Sequence, residues 1–124
     1  MKRTGHWLHG FLDLCLLASL SSGPDYGFAL AQRLAQTGLG EVPGGTLYPA
    51  LLRLERQGWV RVSWVASESG PRRKYYALTD SGRAVLERDA GRWQQFRNSI
   101  DMVLNASAVP VQTPNQTRPP RARL

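Results

Sequence analysis

The sequence contains a single cysteine, Cys15, and no uninterrupted apolar run long enough to cross a bilayer. One thiol excludes an intramolecular disulfide, so a reduced, cytoplasmic setting is expected. The apolar run from Phe11 to Leu20 is interrupted by Asp13 and is too short for a transmembrane helix. Lys2 and Arg3 precede it as they would in a signal peptide, but no clean small-residue cleavage signature follows. We therefore interpret the run as a helix of a folded domain and expect no membrane association.

Residues that would support catalysis or metal binding are also scarce. The sequence has no phosphate-binding loop of the GxxxxGK type and no serine-nucleophile motif. His6 and His9 are three apart and Cys15 follows, but soft-metal sites need three or four convergent ligands, and no further ligand stands at a matching spacing. We expect no enzymatic activity, no metal and no cofactor.

Acidic residues are few for the number of basic ones, at 9 against 16, which gives a net charge of +7. The excess is concentrated. Residues 42–78 have six basic and two acidic side chains, and the tail from residue 105 has three arginines, whereas residues 1–41 and 79–104 are each neutral. A pI near 10.5 favours a polyanionic partner, nucleic acid first and an acidic membrane surface second.

The stretch from Gly44 to Val60, GGTLYPALLRLERQGWV, predicts a helix with two different faces. Leu47, Leu51 and Leu54 recur at spacings of four and three, which places them on one buried face. The opposite face has hydroxyls, a proline and two guanidinium groups: Thr46, Tyr48, Pro49, Arg53 and Arg56. A start near Gly45 or Thr46 would place Pro49 in or just past the first turn, where a missing N–H matters little. Polar and cationic groups on a well-anchored helix suit insertion into a DNA groove.

Two helices are predicted before this one. The first runs from Trp7 to Leu20 and is apolar nearly all round, so we expect a second subunit to cover part of it. Asp25 is suited to cap the second, which runs to about Thr37 and ends at Gly38 and Gly40.

A charged β-hairpin is predicted after the helix. Val60, Val62 and Trp64 alternate with other residues as in a strand, and a second strand is expected from Lys74 to Leu78. The intervening loop, Ala66 to Arg73, leads into three consecutive cations at the hairpin tip: Arg72, Arg73 and Lys74. A phosphate backbone would offset their mutual repulsion, and the alternative is a solvated charged turn. Tyr75 and Tyr76 fall on opposite strand faces, so at least one is expected in the core.

The last predicted helix contains a heptad seam. Thr79 is suited to cap it, with Asp80 in its first turn. Apolar residues follow at spacings of seven, three, four and three, with Asp89 at one seam position: Leu86, Trp93, Phe96, Ile100 and Val103. Such a seam needs a partner, and a second copy of the chain is the economical one.

These motifs, in this order, resemble the PadR family of bacterial transcriptional regulators. The resemblance rests on GTLYPALLRLERQGWV, on SGPRRKYYALTDSGR, and on PDYGFALAQRL from Pro24 to Leu34, and it covers residues 8 to about 104. It implies a mainly α winged helix-turn-helix protein with a small β-hairpin wing and a C-terminal dimerisation helix, as in the short subfamily. Gly44 and Gly45 depart from the family, whose members usually have a polar capping residue there, and the Pro/Arg tail lies outside the resemblance.

The expected organisation is a DNA-binding domain over residues 1–78, a dimerisation helix over 79–104 and a disordered basic tail over 105–124. The resemblance implies a homodimeric repressor of a pseudo-palindromic double-stranded DNA operator. It assigns DNA contacts to Tyr26, Thr46, Tyr48, Pro49, Arg53, Arg72, Arg73 and Lys74. We expect dimerisation through Leu12, Leu16, Leu86, Trp93, Phe96, Ile100 and Val103.

A candidate effector pocket is formed by Trp7, Phe11 and Trp93. Some relatives of the short subfamily bind planar, often cationic compounds between the arm helices, and the resemblance permits the same here. The alternative is that Trp93 only fills an interface, as large aromatic residues do without any ligand. A further alternative for the whole chain is a winged-helix module that binds an acidic protein partner, with weak, salt-insensitive DNA association.

Overall fold

The computed structural model describes residues 2–108 and 110, with side chains from residue 11 onward. The elements follow in the order α1 (Lys2–Leu20), β1 (Asp25–Tyr26), α2 (Gly27–Leu34), a π-helical turn (Ala35–Leu39), α3 (Gly44–Arg56), β2 (Val60–Ser67), β3 (Gly70–Leu78) and α4 (Asp80–Asn105). This mainly helical winged fold confirms the predicted class. The chain divides into two compact units, one up to Ala90 and one from Gly91 onward.

The core of the first unit is made of leucines from three helices. α1 contributes Leu12, Leu16, Leu17 and Leu20, α2 contributes Leu30 and Leu34, and α3 contributes Leu47, Ala50, Leu51 and Leu54. Leu12 and Leu16 are 0% exposed. The chain's own core already covers these two side chains completely, which leaves them no exposed surface to offer a second subunit.

An apolar helix can thus be covered in part by its own chain, whereas cover of the rest of α1 by a second subunit stays a prediction. In the described part of the chain, no helix is long and apolar enough to span a membrane.

Burial raises the pKa of the Cys15 thiol, which keeps it protonated and a poor nucleophile.

The second helix differs from its prediction at its N-terminal end. Its N-cap is Tyr26, with extended backbone and no side-chain cap bond, rather than Asp25. Asp25 instead accepts a 2.9 Å hydrogen bond from the Tyr26 N–H and pairs with Arg33 at 3.6 Å. The helix passes into a π-helical turn and ends, as predicted, at two glycines in the left-handed region, Gly38 at φ +97° and Gly40 at φ +83°.

The sheet has three antiparallel strands in the order β1-β3-β2, one more than the predicted hairpin. β1 pairs Asp25 with Tyr76 and Tyr26 with Tyr75, and a two-residue strand is too short to show the period of two that predicts strands. Both hairpin strands are longer than predicted, so that only Glu68 and Ser69 separate them. Tyr76 is 4% exposed, which confirms that one of the two tyrosines is core.

Hydrogen bonds join the end of α3, near Gly58, to the start of α4, near Gly82. Gly58, at φ +78°, donates its N–H to the Glu55 carbonyl, and Trp59 donates to the Leu54 carbonyl, which together satisfy the last turn of α3. Thr79 caps α4 as predicted, because its Oγ1 accepts a 3.0 Å hydrogen bond from the Gly82 N–H. The same hydroxyl donates to the Gly58 carbonyl at 2.7 Å, so one side chain binds both helices.

The second unit contains the remainder of α4. Trp93 and Ile100 are half-buried, whereas Phe96 is 50% and Val103 69% exposed. The Trp93 and Phe96 rings lie 6.0 Å apart between centroids. Leu86, the first residue of the predicted seam, belongs to the first unit and packs against its core.

Gly82 allows α4 to begin directly against the chain at Trp59. A Cβ at Gly82 would lie 2.0 Å from the Trp59 carbonyl oxygen. We expect Gly82→Ala to lower the free energy of unfolding by about 1–3 kcal/mol, although an alanine normally stabilises a helix relative to glycine. Gly91 on the same helix has nothing within 4 Å of its virtual Cβ, so Gly91→Ala is the matched control and should stabilise by up to about 1 kcal/mol. Urea denaturation of the two variants tests this, and an equal gain from both would contradict it.

Candidate nucleic-acid interface

The outward face of α3 is the first part of the candidate site. Its buried face is 2% exposed or less at Leu47, Ala50, Leu51 and Leu54, which fixes the orientation of the helix. The exposed side chains recur at spacings of three and four on the other face, namely Tyr48, Pro49, Leu52, Arg53 and Arg56. Thr46, in the first turn, is half-buried. The sequence prediction named all of these except Leu52.

The start of α3 is set by its backbone. The helix begins at Gly44 with Pro43 as N-cap, and the Pro43 carbonyl accepts 2.9 Å hydrogen bonds from the N–H groups of Thr46 and Leu47. Pro49 is consequently the sixth residue of α3, one or two residues deeper than predicted. The carbonyl that loses its donor belongs to Gly45, which is exposed, so that water can replace the missing bond.

Tyr48 lies over the start of α2. A Cβ at Gly27 would be 2.6 Å from Tyr48 Cε1, so only glycine leaves room for the ring. The tyrosine nevertheless remains 50% exposed. The backbone at Gly27 thus packs against one side of the Tyr48 ring, while the other side of the ring stays exposed and can contact a ligand.

The wing places its cations differently from the prediction. Arg72, Arg73 and Lys74 lie within β3 rather than at a loop tip, so they alternate between the two sheet faces. The Arg72 guanidinium is 5.6 Å from the Trp64 ring centroid, and the Lys74 ammonium is 6.0 Å from it. Arg73 is on the other face, 4.5 Å from the Tyr26 ring centroid. The tip prediction was wrong because strand pairing continues to Ser67 and Gly70, past the Gly-Pro pair that suggested a loop.

Comparison with known proteins places this arrangement in a family. Residues 16–88, more than half of the chain, match the transcriptional regulator PadR-like family. The chain belongs to the PadR-like family.

Solved structures of PadR-like proteins share the fold. A PadR-like transcriptional regulator from Bacillus cereus is 32% identical, with a TM-score of 0.73 over 82% of this chain and 99% of its own. A PadR family regulator from Eggerthella lenta is also 32% identical, with a TM-score of 0.72 over 82% of this chain and 88% of its own. A probable transcriptional regulator from Mycobacterium tuberculosis is 36% identical over 80 residues, which make up 62% of this chain and 42% of that protein. The chain is thus a transcriptional regulator with a winged helix.

In this PadR-like chain, Arg53 has a partner within the protein. Its Nη2 donates to Asp13 Oδ1 at 2.8 Å and its Nε to Oδ2 at 3.4 Å, across α3 and α1. The side chains are 43% and 29% exposed, and pairs of this kind contribute only about 0–1 kcal/mol. The Asp13 contact therefore orients Arg53 without holding it strongly against a competing anion.

Lys74 links the wing to α3. Its ammonium is 3.5 Å from Glu55 Oε1 on α3, an ion-pair distance too long for a good hydrogen bond, and 5.6 Å from the Tyr76 ring centroid. Burial first, and then the charge of Glu55 and the nearby Tyr48, raise the pKa of the Tyr76 phenol above its ordinary value. Tyr76 is therefore neutral near pH 7, and the charge of Glu55 is compensated by Lys74. Among the described side chains, no carboxylate reaches Arg72 or Arg73 within 4 Å.

Tyr26 belongs to the sheet and not to the helix in which the sequence placed it. It stands at the junction of β1 and α2, with its ring 5.4 Å from that of Tyr75 and beneath Arg73. A half-buried aromatic ring that supports a guanidinium group orients that cation, which gives Tyr26 a positioning role as well as a potential phosphate contact.

Two open clefts adjoin α3 in the PadR-like fold. One, of 650 Å³, lies between α2 and the start of α3, with Phe28, Ala31, Val42 and Tyr48 among its lining residues. The other, of 480 Å³, lies between α3 and the wing. Neither is lined by Phe11 or Trp93, two of the three residues predicted for an effector pocket, and the Trp7 side chain lies outside the described residues, as do those of His6 and His9.

The sequence prediction missed Leu52 and Trp64 as site residues. Leu52 stands four residues after Tyr48, on the exposed face, and is 41% exposed. Trp64 shares the inward face of β2 with Val60 and Val62 but lies beyond the end of the core and is 55% exposed. The period of two gave the face of Trp64 correctly, but it carries no information about where along the strand the core ends.

Proposed function

We propose that this PadR-like regulator is a homodimeric repressor that binds a pseudo-palindromic operator in double-stranded DNA and is released by a planar aromatic effector. The observation that carries operator binding is the exposed face of α3, firmly anchored from behind and flanked by the wing cations Arg72 and Arg73. Occupancy of an operator that overlaps a promoter excludes RNA polymerase, which is why we propose repression.

The two parts of the interface have different tasks in this proposal. Thr46, Tyr48 and Arg53 on α3 contact base edges in the major groove, where a well-placed hydrogen-bonding pair discriminates between bases by about 1–3 kcal/mol. Pro49 lies among them on the exposed face, where it gives the helix a rigid apolar surface. Arg72 and Arg73 contact phosphates and set the register, with Tyr26 supporting Arg73. Lys74 contributes less, because Glu55 already neutralises it.

DNA binding is tested with the DNA upstream of the protein's own gene in mobility-shift assays over a salt series. The wild-type protein should prefer this DNA to a scrambled sequence, with affinity that falls steeply with salt. Arg72→Ala combined with Arg73→Ala should weaken binding to all sequences and reduce the slope of log K against log salt by about 0.9 for each phosphate that the variant no longer neutralises. Arg53→Ala should instead reduce the preference for the natural sequence.

The matched control is Arg83→Ala combined with Arg88→Ala, which removes the same charge from exposed positions of α4. For this control, the slope of log K against log salt should stay nearly the same as for the wild-type protein. A wild-type protein that binds natural and scrambled DNA equally would refute operator recognition and would favour a module for an acidic protein partner.

Dimerisation is proposed to use the exposed apolar side of α4. Phe96 and Val103 are 50% and 69% exposed, and with Trp93 and Ile100 they complete a heptad seam. Leu86 contributes less than the sequence suggested, since the core of its own unit covers part of it.

Phe96→Asp should weaken the dimer at least 100-fold, because the interface would bury an uncompensated charge from each copy at a cost of about 3–5 kcal/mol. Sedimentation equilibrium measures this. Asn98→Asp, which adds the same charge on the side of α4 opposite the seam, should remain dimeric. Dissociation of both variants to the same extent would contradict the assignment of the seam.

The effector is proposed to bind at Trp93, whereas participation of Phe11 and Trp7 stays a prediction from the sequence. The Trp93–Phe96 ring pair supports this, since flat aromatic compounds stack on such rings and cationic ones gain a cation–π contribution.

A planar cationic dye such as crystal violet should quench the intrinsic tryptophan fluorescence of the wild-type protein in a saturable titration. Trp93→Ala should lose this saturable quenching, whereas Trp64→Phe, a tryptophan replaced on the wing, should keep it. Identical quenching curves for wild type and Trp93→Ala would count against the effector site.

A further inference from the structure

The groove between α3 and the wing combines exposed apolar side chains with cations. Its 480 Å³ are lined by Tyr26, Gly27, Phe28, Tyr48, Leu52, Trp64, Arg73, Lys74 and Tyr76. Four of these are large and exposed, with Phe28 at 60%, Trp64 at 55%, Tyr48 at 50% and Leu52 at 41%. Single exposed apolar residues are ordinary, but several around one groove mark a binding surface.

Trp64 occupies the wing side of this groove. It is paired with Lys74 across the β2–β3 ladder, and Arg72 lies diagonally opposite at 5.6 Å from the ring centroid. The two cations flank the indole and leave more than half of the side chain accessible. An amphipathic surface of this kind fits a ligand in which apolar and anionic groups alternate over short distances.

The sugar–phosphate chain of DNA has that alternation, since each deoxyribose is followed by a phosphate. Its position follows from the proposed function. When a helix lies in the major groove and the adjacent wing lies in the neighbouring minor groove, the strand that separates the two grooves has to cross between helix and wing. That crossing point is the groove beside Trp64.

We propose that this groove holds one strand of the operator, with the indole of Trp64 packed against a deoxyribose and Arg72 bound to the adjoining phosphate. Leu52 forms the opposite apolar wall, from α3. This inference rests on the proposed DNA binding and adds to it a contact that recognises the sugar. Because the indole covers the C2′ side of the ring in this arrangement, a 2′-hydroxyl at that nucleotide would lose its water without gaining a partner.

The first test compares the affinity and the salt dependence of single variants on the natural promoter DNA. Trp64→Ala should weaken binding about tenfold, in the range measured for aromatic contacts to nucleotides, with an unchanged salt slope because no charge is removed. Arg72→Ala should reduce the slope by about 0.9 for each copy bound. Trp64→Phe should recover most of the affinity, since it restores a flat apolar surface.

Val65→Ala is the matched control, because Val65 is the next residue of β2, is 44% exposed and faces the other side of the strand. It should bind as the wild type does. Trp64 lies outside the core, so denaturation curves of Trp64→Ala should match those of the wild type and show that any loss of affinity is not a loss of folding.

The second test replaces single deoxynucleotides of the operator by ribonucleotides. At one position in each half-site, the ribonucleotide should weaken binding of the wild-type protein. The same substitution should not weaken binding of Trp64→Ala further, which identifies this nucleotide and Trp64 as the coupled pair. Wild-type affinity of Trp64→Ala would overturn the inference while leaving operator binding intact. A salt slope that falls together with the affinity of Trp64→Ala would also overturn it, because the ring would then act only by holding Arg72. Failure of the wild-type protein to bind any DNA would remove the proposed function and this inference together.

Discussion

The orientation of α3 depends on the burial of one line of side chains, from Leu47 to Leu54, against α1 and α2. That burial turns Tyr48, Leu52 and Arg53 outward, and it does so in the absence of any ligand. The C-terminal end of α3 is fixed separately by Gly58, whose carbonyl accepts hydrogen bonds from the hydroxyls of Thr79 and Ser81. A surface that is already ordered loses little entropy when it binds. In the proposed complex, contacts made by α3 can therefore add to the binding free energy with little entropic loss. Small changes of the side chains on its outer face should then change affinity and specificity directly.

Two partly exposed ion pairs occupy this surface in the free protein. Asp13 neutralises Arg53, and Glu55 neutralises Lys74. Each contributes no more than about 1 kcal/mol, less than a guanidinium group gains from a well-placed base or phosphate. In the proposed complex, exchange of Asp13 for a nucleic-acid acceptor is thus favourable for Arg53, because the pair with Asp13 is partly exposed. Lys74 is different, because its carboxylate partner lies at the foot of the wing beside the buried Tyr76. Its pair with Glu55 joins the wing to α3.

Much of this architecture could be predicted from the sequence, because the spacing of apolar residues and the positions of glycines reflect the local backbone geometry. The spacing of Leu47, Leu51 and Leu54 gave the buried face of α3, and Gly38, Gly40 and Gly58 marked helix ends where the backbone has positive φ. What could not be predicted depends on long-range packing. The two residues of β1 have no period of their own and become a strand only because Tyr75 and Tyr76 pair with them. The apolar surface of α1 showed that it must be covered but not by what, and its own chain covers Leu12 and Leu16 completely. The cation triplet of the wing was correctly noticed but wrongly placed at a loop tip, since a Gly-Pro pair is compatible with the start of a strand, and Gly70 and Pro71 are the first two residues of β3.

Because the three consecutive cations lie within β3 and not at a loop tip, their side chains point to two different faces of the sheet. At a loop tip they would face one point and repel one another. Along β3 they alternate, so that Arg72 lies beside Trp64 while Arg73 lies over Tyr26 on the opposite face. A strand that enters a minor groove edge-on presents its two faces to the two walls of that groove, and each wall is a different phosphate backbone. In the proposed complex, Arg72 and Arg73 are therefore not redundant, because they extend from opposite faces of β3, each with its guanidinium group against an aromatic ring. The third cation, Lys74, returns to the face of Arg72, where Glu55 already compensates its charge, so the proposed phosphate contacts depend mainly on the two arginines.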